Sequence, residues 1–166
     1  LGLPRHDASM LSYARSLFIW HRSAKFCGKC GSATKLIDHG HARKCTNPDC
    51  GEMHFPRLNP AVIMAVTCGD HIVIARAPHY PHGLHSVLAG YIEHGETIEQ
   101  ATVREVLEEV GINAPAADVR YLCSQPWPYS NSLMLGTLLE IAPDADGNPP
   151  ALTVDEEELA WAAWLP

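Results

Sequence analysis

Gly90-Tyr91-Ile92-Glu93-His94-Gly95-Glu96-Thr97-Ile98-Glu99-Gln100-Ala101-Thr102-Val103-Arg104-Glu105-Val106-Leu107-Glu108-Glu109-Val110-Gly111-Ile112 decides how this chain folds. Thr97 and Gln100 stand at capping-box spacing and Gly111 is a natural stop, so a helix is predicted from Thr97 to Val110. On that helix Glu105, Glu108 and Glu109 lie at i, i+3 and i+4, which crowds three carboxylates onto one face. Like charges so placed destabilise a bare helix. A solvated acidic face is the usual reading of such a run, yet it leaves Gly90, the apolar segment before it and Arg104 without a role. A bound divalent cation supplies one, because hard oxygen ligands are what such ions take.

Outward from the helix the pattern changes period. Ala61–Thr67 is a β-branched run that predicts a buried strand, Gly69-Asp70 a tight turn, and His71–Ala75 its hairpin partner. The Pro/His-rich loop Ala77–His85 leads to a short strand near Val87–Ala89. Val119–Ser124 and Leu133–Ile141 predict two more strands with a Pro/Trp-rich loop between them. Asp144–Pro150 is turn material, and Val154–Leu165 ends the chain with acids followed by Trp161 and Trp164. Strands flanking one central helix define a mixed α/β (α+β) domain. Before it, Ala8–His21 places Leu11, Ala14, Leu17 and Phe18 at helical spacing, and the domain boundary falls near Met53–Pro60.

The 166 residues are 46% hydrophobic and 19% charged, enough for a real core and far from the composition of a disordered chain. Charge is unevenly placed. Residues 1–57 carry nine Lys/Arg against four Asp/Glu, a net of +5; residues 58–166 carry three against fifteen, a net of −12. So acidic a body repels phosphate backbones, which excludes passive nucleic-acid coating by that part. No apolar run is long enough to cross a membrane, and the N-terminus has no signal-peptide pattern. The expected compartment is the cytoplasm. The chain opens at Leu1, and the expectation is a fragment or trimmed form.

Four cysteines form Cys27-x2-Cys30 and Cys45-x4-Cys50, separated by fourteen residues. Two knuckles so spaced suit tetrahedral thiolate coordination of Zn²⁺, with Gly28, Gly31 and Gly51 permitting the turns. Two disulfides are the other arrangement; the missing secretory signal favours zinc, in a structural role because four thiolates leave no open position. Cys68 and Cys123 lie in predicted strands and are expected to be buried free thiols. The ten histidines, His79, His82 and His85 among them, show no metal-ligand spacing.

From Gly90 to Ile112 the chain resembles the Nudix box, G-x5-E-x7-R-E-U-x-E-E-x-G-U, at every fixed position. The resemblance implies a Nudix-type mixed-sheet α/β/α sandwich and hydrolysis of a nucleoside diphosphate linked to another group, with Mg²⁺ or Mn²⁺. It implies Glu105 and Glu109 as metal ligands with the backbone carbonyl of Ala89, Glu108 as a second-shell or second-metal ligand, one of these carboxylates as base, and Arg104 as their orienter. Ser124-Gln125-Pro126-Trp127-Pro128-Tyr129-Ser130-Asn131-Ser132 is similar to the SQPWPFPxS signature of the NADH pyrophosphatase branch. That branch also carries a four-cysteine zinc ribbon, a Trp-His-Arg stretch (here Trp20-His21-Arg22) and an aromatic-Pro-Arg entry (here Phe55-Pro56-Arg57).

The branch implies cleavage of NAD(H) to nicotinamide mononucleotide and AMP, and in some relatives removal of NAD caps from RNA. It implies Phe55 and Tyr91 stacking on a base, Gln125, Pro126, Trp127, Pro128, Tyr129, Ser130, Asn131 and Ser132 lining the dinucleotide site, and Glu158 as the distal metal ligand. Residues 1–56 are expected to form the helix and zinc-ribbon subdomain, and residues 57–166 the Nudix domain. Further N- and C-terminal segments of full-length relatives are expected to be missing, and the assembly a homodimer. Tyr129, Ser130 and Trp161 depart from the branch's usual phenylalanine, proline and acid. The competing readings are a Nudix hydrolase of ADP-ribose or a dinucleoside polyphosphate, and a non-catalytic zinc-ribbon binding module.

Overall fold

The structure, a computed structural model, describes residues 2–166. It divides into two compact units, residues 2–59 with 126–133 and residues 60–125 with 134–166.

The first unit opens with α1 (Arg5–Ser23), which follows Pro4 and ends where the Ala24 N–H reaches the Trp20 carbonyl. Trp20 is the one buried residue of this helix; Leu11, Tyr13 and Phe18 are exposed. Three short strands follow, β1 (Thr34–Ile37), β2 (Ala42–Cys45) and β3 (Met53–His54), in an antiparallel sheet of that order. The β1–β2 turn is tight enough to hold Asp38, His39 and Gly40 all at positive φ. Arg43 braces the sheet, its Nε and Nη2 donating to Thr34 Oγ1 and O at 2.7 and 3.0 Å, while Thr34 Oγ1 donates to Ala24 O at 2.6 Å. So small a sheet has little core of its own and needs a staple.

The second unit is built on β4 (Asn59–Cys68), β5 (His71–Arg76), β6 (Leu88–Tyr91), α2 (Ile98–Val110), β7 (Val119–Trp127), β8 (Ser132–Glu140) and β9 (Trp161–Leu165). The strand order is β7-β8-β4-β5-β9, with β6 also paired to β4. Antiparallel ladders join β4 to β5, β4 to β6 and β5 to β9. The β4–β8 pair is parallel, since Asn59 N donates to Asn131 O at one end and Ile141 N to Thr67 O at the other. The sheet is therefore mixed. β4 and β5 pair only near their hairpin, through Thr67↔Ile72 and Cys68↔His71; beyond it β6 takes the place beside β4, from Met64↔Leu88 to Ala61↔Tyr91.

The core lies between this sheet and α2. Alternate residues of β4 (Val62, Met64, Val66) join Val73, Ala75, Leu88 and Leu139 against Ala101, Val106 and Val110 of α2. Among the described residues no helix is long and apolar enough to cross a membrane.

Two expectations need correction. Gln125 to Trp127 is strand and not loop: β7 runs through Pro126, which an edge strand tolerates because no neighbour requires its missing N–H. Cys123 is exposed, not buried, because β7 is that edge strand and every residue of it beyond Val119 is open; Cys68 is buried.

Candidate functional site

The site begins with the cap of α2. Thr97 Oγ1 accepts the Gln100 N–H and Gln100 Oε1 accepts the Thr97 N–H, and Gly111 closes the helix at φ 73°. The helix so fixed buries Ala101, Thr102, Glu105, Val106, Glu109 and Val110 along one stripe, which threads two carboxylates through an apolar face. Glu105 and Glu109 retain only 8% and 6% exposure. Burial of a carboxylate without a partner is costly, and the partners present are unequal.

Arg104 holds one side. Its Nε and Nη2 donate to Glu96 Oε1 and Oε2 at 2.6 and 2.9 Å, its Nη1 to Glu105 Oε1 and Glu108 Oε2 at 2.9 Å each, and its Nη2 again to the Tyr91 carbonyl at 2.9 Å. Each N–H of the guanidinium is thereby used. The Arg104 guanidinium pulls the Glu96 carboxyl down to about 2, and Glu96 with its fellow carboxylates holds Arg104 more firmly protonated than a free arginine. Glu96 is the first fixed glutamate of the box, eight residues before Arg104, and the structure supplies the role that the sequence pattern left open.

Glu109 has no such partner. Burial, then the charges of Glu105, Glu158 and Glu108, push its carboxyl up to about 8, and its Oε2 is buried without a hydrogen bond. Burial also raises Glu105, against the pull of Arg104. Glu158 is brought in by its loop. Asp155 N donates to Glu109 O at 3.0 Å, Asp155 Oδ1 accepts the Glu157 N–H at 2.9 Å, and buried Leu159 anchors the turn by its N–H to Asp155 O. Of the four consecutive acids, Glu156 and Glu157 remain outside, and one carboxylate oxygen each of Glu105, Glu109 and Glu158 lie within 4.8 Å of one another.

Three converging carboxylates, two buried and one orphaned, fit a hard divalent cation and fit little else. Gly90 belongs to the same construction. A Cβ there would overlap the Glu105 carboxylate, so glycine at this position is what leaves that carboxylate its place against β6. Ala89 precedes it, paired with Ile63.

The thiol cluster is the second candidate metal centre. Cys27, Cys30, Cys45 and Cys50 are free, and their Sγ atoms all lie within 4.8 Å of one another, with Cys30–Cys45 at 3.5 Å and Cys27–Cys50 at 3.9 Å. A tetrahedron with Zn–S of about 2.3 Å has edges of about 3.8 Å, so the four sulfurs are spaced for zinc. In the first knuckle Cys27 O accepts the Gly31 N–H, with Gly31 at φ 74°. In the second, Asn47 O accepts the N–H of both Cys50 and Gly51, while Asn47 Oδ1 accepts that of Asp49; this turn absorbs the longer x4 spacing. Hydrogen bonds from Ser32 lower the Cys30 thiol to about 6, and burial raises Cys45 to about 12.

The remaining expected residues are divided between the units. Tyr91 is exposed in the second unit and its carbonyl serves Arg104; Gln125 is exposed on β7. Phe55 belongs to the first unit, where with Trp20, Phe26, His54, Lys29 and Arg57 it lines an open cavity of about 820 Å³. The turn after β7 also groups with the first unit. Trp127 and Tyr129 touch, ring centroids 5.3 Å apart, and Asn59 holds the turn through Ser130 O and Asn131 O. Pro126 is exposed, Pro128 partly buried, and Asn131 adopts a left-handed φ of 53°, which asparagine tolerates best after glycine. Ser132 is 2% exposed and hydrogen-bonds Ser130 at 2.8 Å, so it supports the turn from beneath and offers no open surface to a ligand.

Comparison with known proteins bears on the whole chain. Residues 22–55 match the NADH pyrophosphatase zinc ribbon domain. A protein of Pseudomonas aeruginosa named NAD-capped RNA hydrolase NudC is 41% identical over 156 residues, which is 94% of this chain and 52% of that protein. The human NAD-capped RNA hydrolase NUDT12 is 38% identical over 174 residues, 99% of this chain and 36% of its own length. The chain thus spans about half of the bacterial relative and about a third of the human one. The crystal structure of a NUDIX hydrolase from Nitrosomonas europaea shares the fold, with a TM-score of 0.62 at 17% identity over 85% of this chain and 77% of that one. Residues 57–166, well over half of the sequence, match the NUDIX domain, and the chain belongs to the Nudix family.

Proposed function

We propose that this chain hydrolyses the pyrophosphate bond of NAD(H) to nicotinamide mononucleotide and AMP, and that it removes NAD caps from RNA. The observation that carries the reading is the convergence of Glu105, Glu109 and Glu158, two of them buried and one without any protein partner. The substrate class is supported by the zinc-ribbon match and by relatives named for NAD-capped RNA over nearly all of this chain.

In the reaction, water adds to one phosphorus, the anhydride P–O bond to the other phosphate breaks, and the products are two phosphomonoesters, with two protons released as both become dianions. Glu105, Glu109 and Glu158, with the Ala89 carbonyl, would hold Mg²⁺ or Mn²⁺, which when bound would supply neutralisation of the pyrophosphate charge and a more acidic attacking water. Arg104 keeps Glu105 and Glu108 in fixed rotamers and has no N–H left over for substrate. Glu108, half exposed and held by Arg104, is placed to take the proton that water gives up. Within the second unit, Tyr91 stacks on a base and Gln125 borders the dinucleotide. The zinc-ribbon part is residues 1–56 and the catalytic part 57–166; the working form is a cytoplasmic homodimer.

The test is AMP release by purified chain with Mg²⁺ from NADH, NAD, ADP-ribose and NAD-capped RNA. NADH and the capped RNA are expected to be cleaved. Glu109→Gln should lose more than the 10–100-fold that outer-shell changes cost, with the zinc content and circular dichroism unchanged. Full turnover in that variant would remove the metal assignment, and preference for ADP-ribose would replace the substrate.

A further inference from the structure

The first unit carries, on α1, a surface that the hydrolytic chemistry does not use. On α1, Leu11, Arg15, Phe18 and Arg22 recur at i, i+4, i+7 and i+11, one stripe of the helix. All are exposed, Phe18 at 70%. The stripe does not end at the helix. The Arg15 guanidinium carbon stands 5.2 Å from the centre of the Tyr129 ring, and Tyr129 in turn packs at 5.3 Å against Trp127. Guanidinium, phenol and indole thus form a continuous exposed column, and Phe18 and Arg22 repeat the cation–aromatic alternation along the helix.

The surroundings are positive. The unit has nine Lys/Arg against four Asp/Glu, and Asp7, the one acid on α1, stands two turns from Arg15 beside His6. A groove for a single strand needs this mixture of cations and exposed aromatic faces. Cations follow the phosphates, and aromatic faces stack on bases without regard to sequence.

We infer that the Arg15–Phe18–Arg22 stripe of α1, continued by Tyr129 and Trp127, grips the single-stranded RNA chain that follows the cap. The inference rests on the proposed use of capped RNA and adds where the rest of that polymer is held. The acidic second unit repels such a chain, so the hold has to come from this one.

The experiment is fluorescence anisotropy of a short uncapped single-stranded RNA of about 12 nucleotides, titrated with the chain over a salt series, with NADH hydrolysis and sedimentation measured in parallel. Arg15→Ala together with Arg22→Ala should weaken RNA binding by about tenfold or more and flatten the log–log salt dependence by about 1.4, two contacts at about 0.7 each. NADH hydrolysis should stay within about twofold, which also reports an intact fold. Arg15→Lys should keep the salt dependence but lose part of the affinity, since ammonium stacks poorly. Unchanged affinity and salt dependence in the double variant would overturn the inference. So would a double variant that changes sedimentation in the absence of RNA, which would assign the stripe to a second copy of the chain. RNA binding by a parent chain that leaves NADH intact would sink the proposed reaction and leave the grip standing.

Discussion

The two units solve opposite problems with the same device. The first is basic, net +5, with Trp20 and a few small residues for a core, and it gathers four soft thiols. The second is acidic, net −12, with a continuous apolar core, and it gathers three hard carboxylates. Both clusters demand a cation. In the first the cation is the staple that a three-stranded sheet lacks; in the second the core already holds the helix, and the cluster is a strain that the core tolerates. The first unit is expected to need its metal centre in order to fold, and the second to fold at a cost imposed by its cluster.

The comparison breaks most sharply when one ligand is removed from each. Cys45→Ser, or chelation, should unfold residues 27–50 outright, since structural zinc contributes on the order of 10 kcal/mol. Amide exchange should show that loss confined to the first unit; protection of β1 and β2 in zinc-free protein would contradict it. Glu109→Gln should act in the reverse direction. In metal-free protein the Glu109 carboxyl, held at about 8, makes stability fall as pH rises from the ordinary carboxylate range through 8. Removing that buried charge should stabilise the metal-free chain above neutral pH by about 1–3 kcal/mol, read from urea midpoints. A destabilised variant would mean that the second cluster, too, is structural.

The smallest effect concerns Glu96, whose carboxyl is held at about 2 by Arg104. A depressed carboxylate lends stability above its ordinary range, and that share is lost as pH falls from about 4.5 towards 2. Glu96→Gln should cost about 1–2 kcal/mol near neutral pH and abolish that part of the acid dependence. Acid unfolding curves that superimpose would dismiss the pair as ornamental.

Legibility followed the range of the interactions. α2 was readable to the residue because its signals are local: Thr97 and Gln100 cap each other across three positions, and Gly111 supplies its own φ. The zinc knuckles were readable for the same reason. Glu158 could not be told from Asp155, Glu156 and Glu157 by pattern, because what selects it is a backbone bond from Asp155 to Glu109, forty-six residues away. Arg15 and Tyr129 meet across more than a hundred residues and leave no periodic trace. Cys123 was misjudged since an apolar strand looks alike at the edge and in the middle of a sheet; strand order, not composition, exposes it.

Gly90 has a consequence for how this chain can change. The Glu105 carboxylate occupies the volume where any other residue would begin, so the position admits no side chain while Glu105 keeps its place. A side chain at position 90 requires Glu105 to be displaced or replaced first, whereas Glu105 can be replaced while Gly90 stays. The order of change is one-way: Tyr129 and Ser130, which meet solvent, are free to drift, while position 90 can change only after the Glu105 carboxylate has left its place.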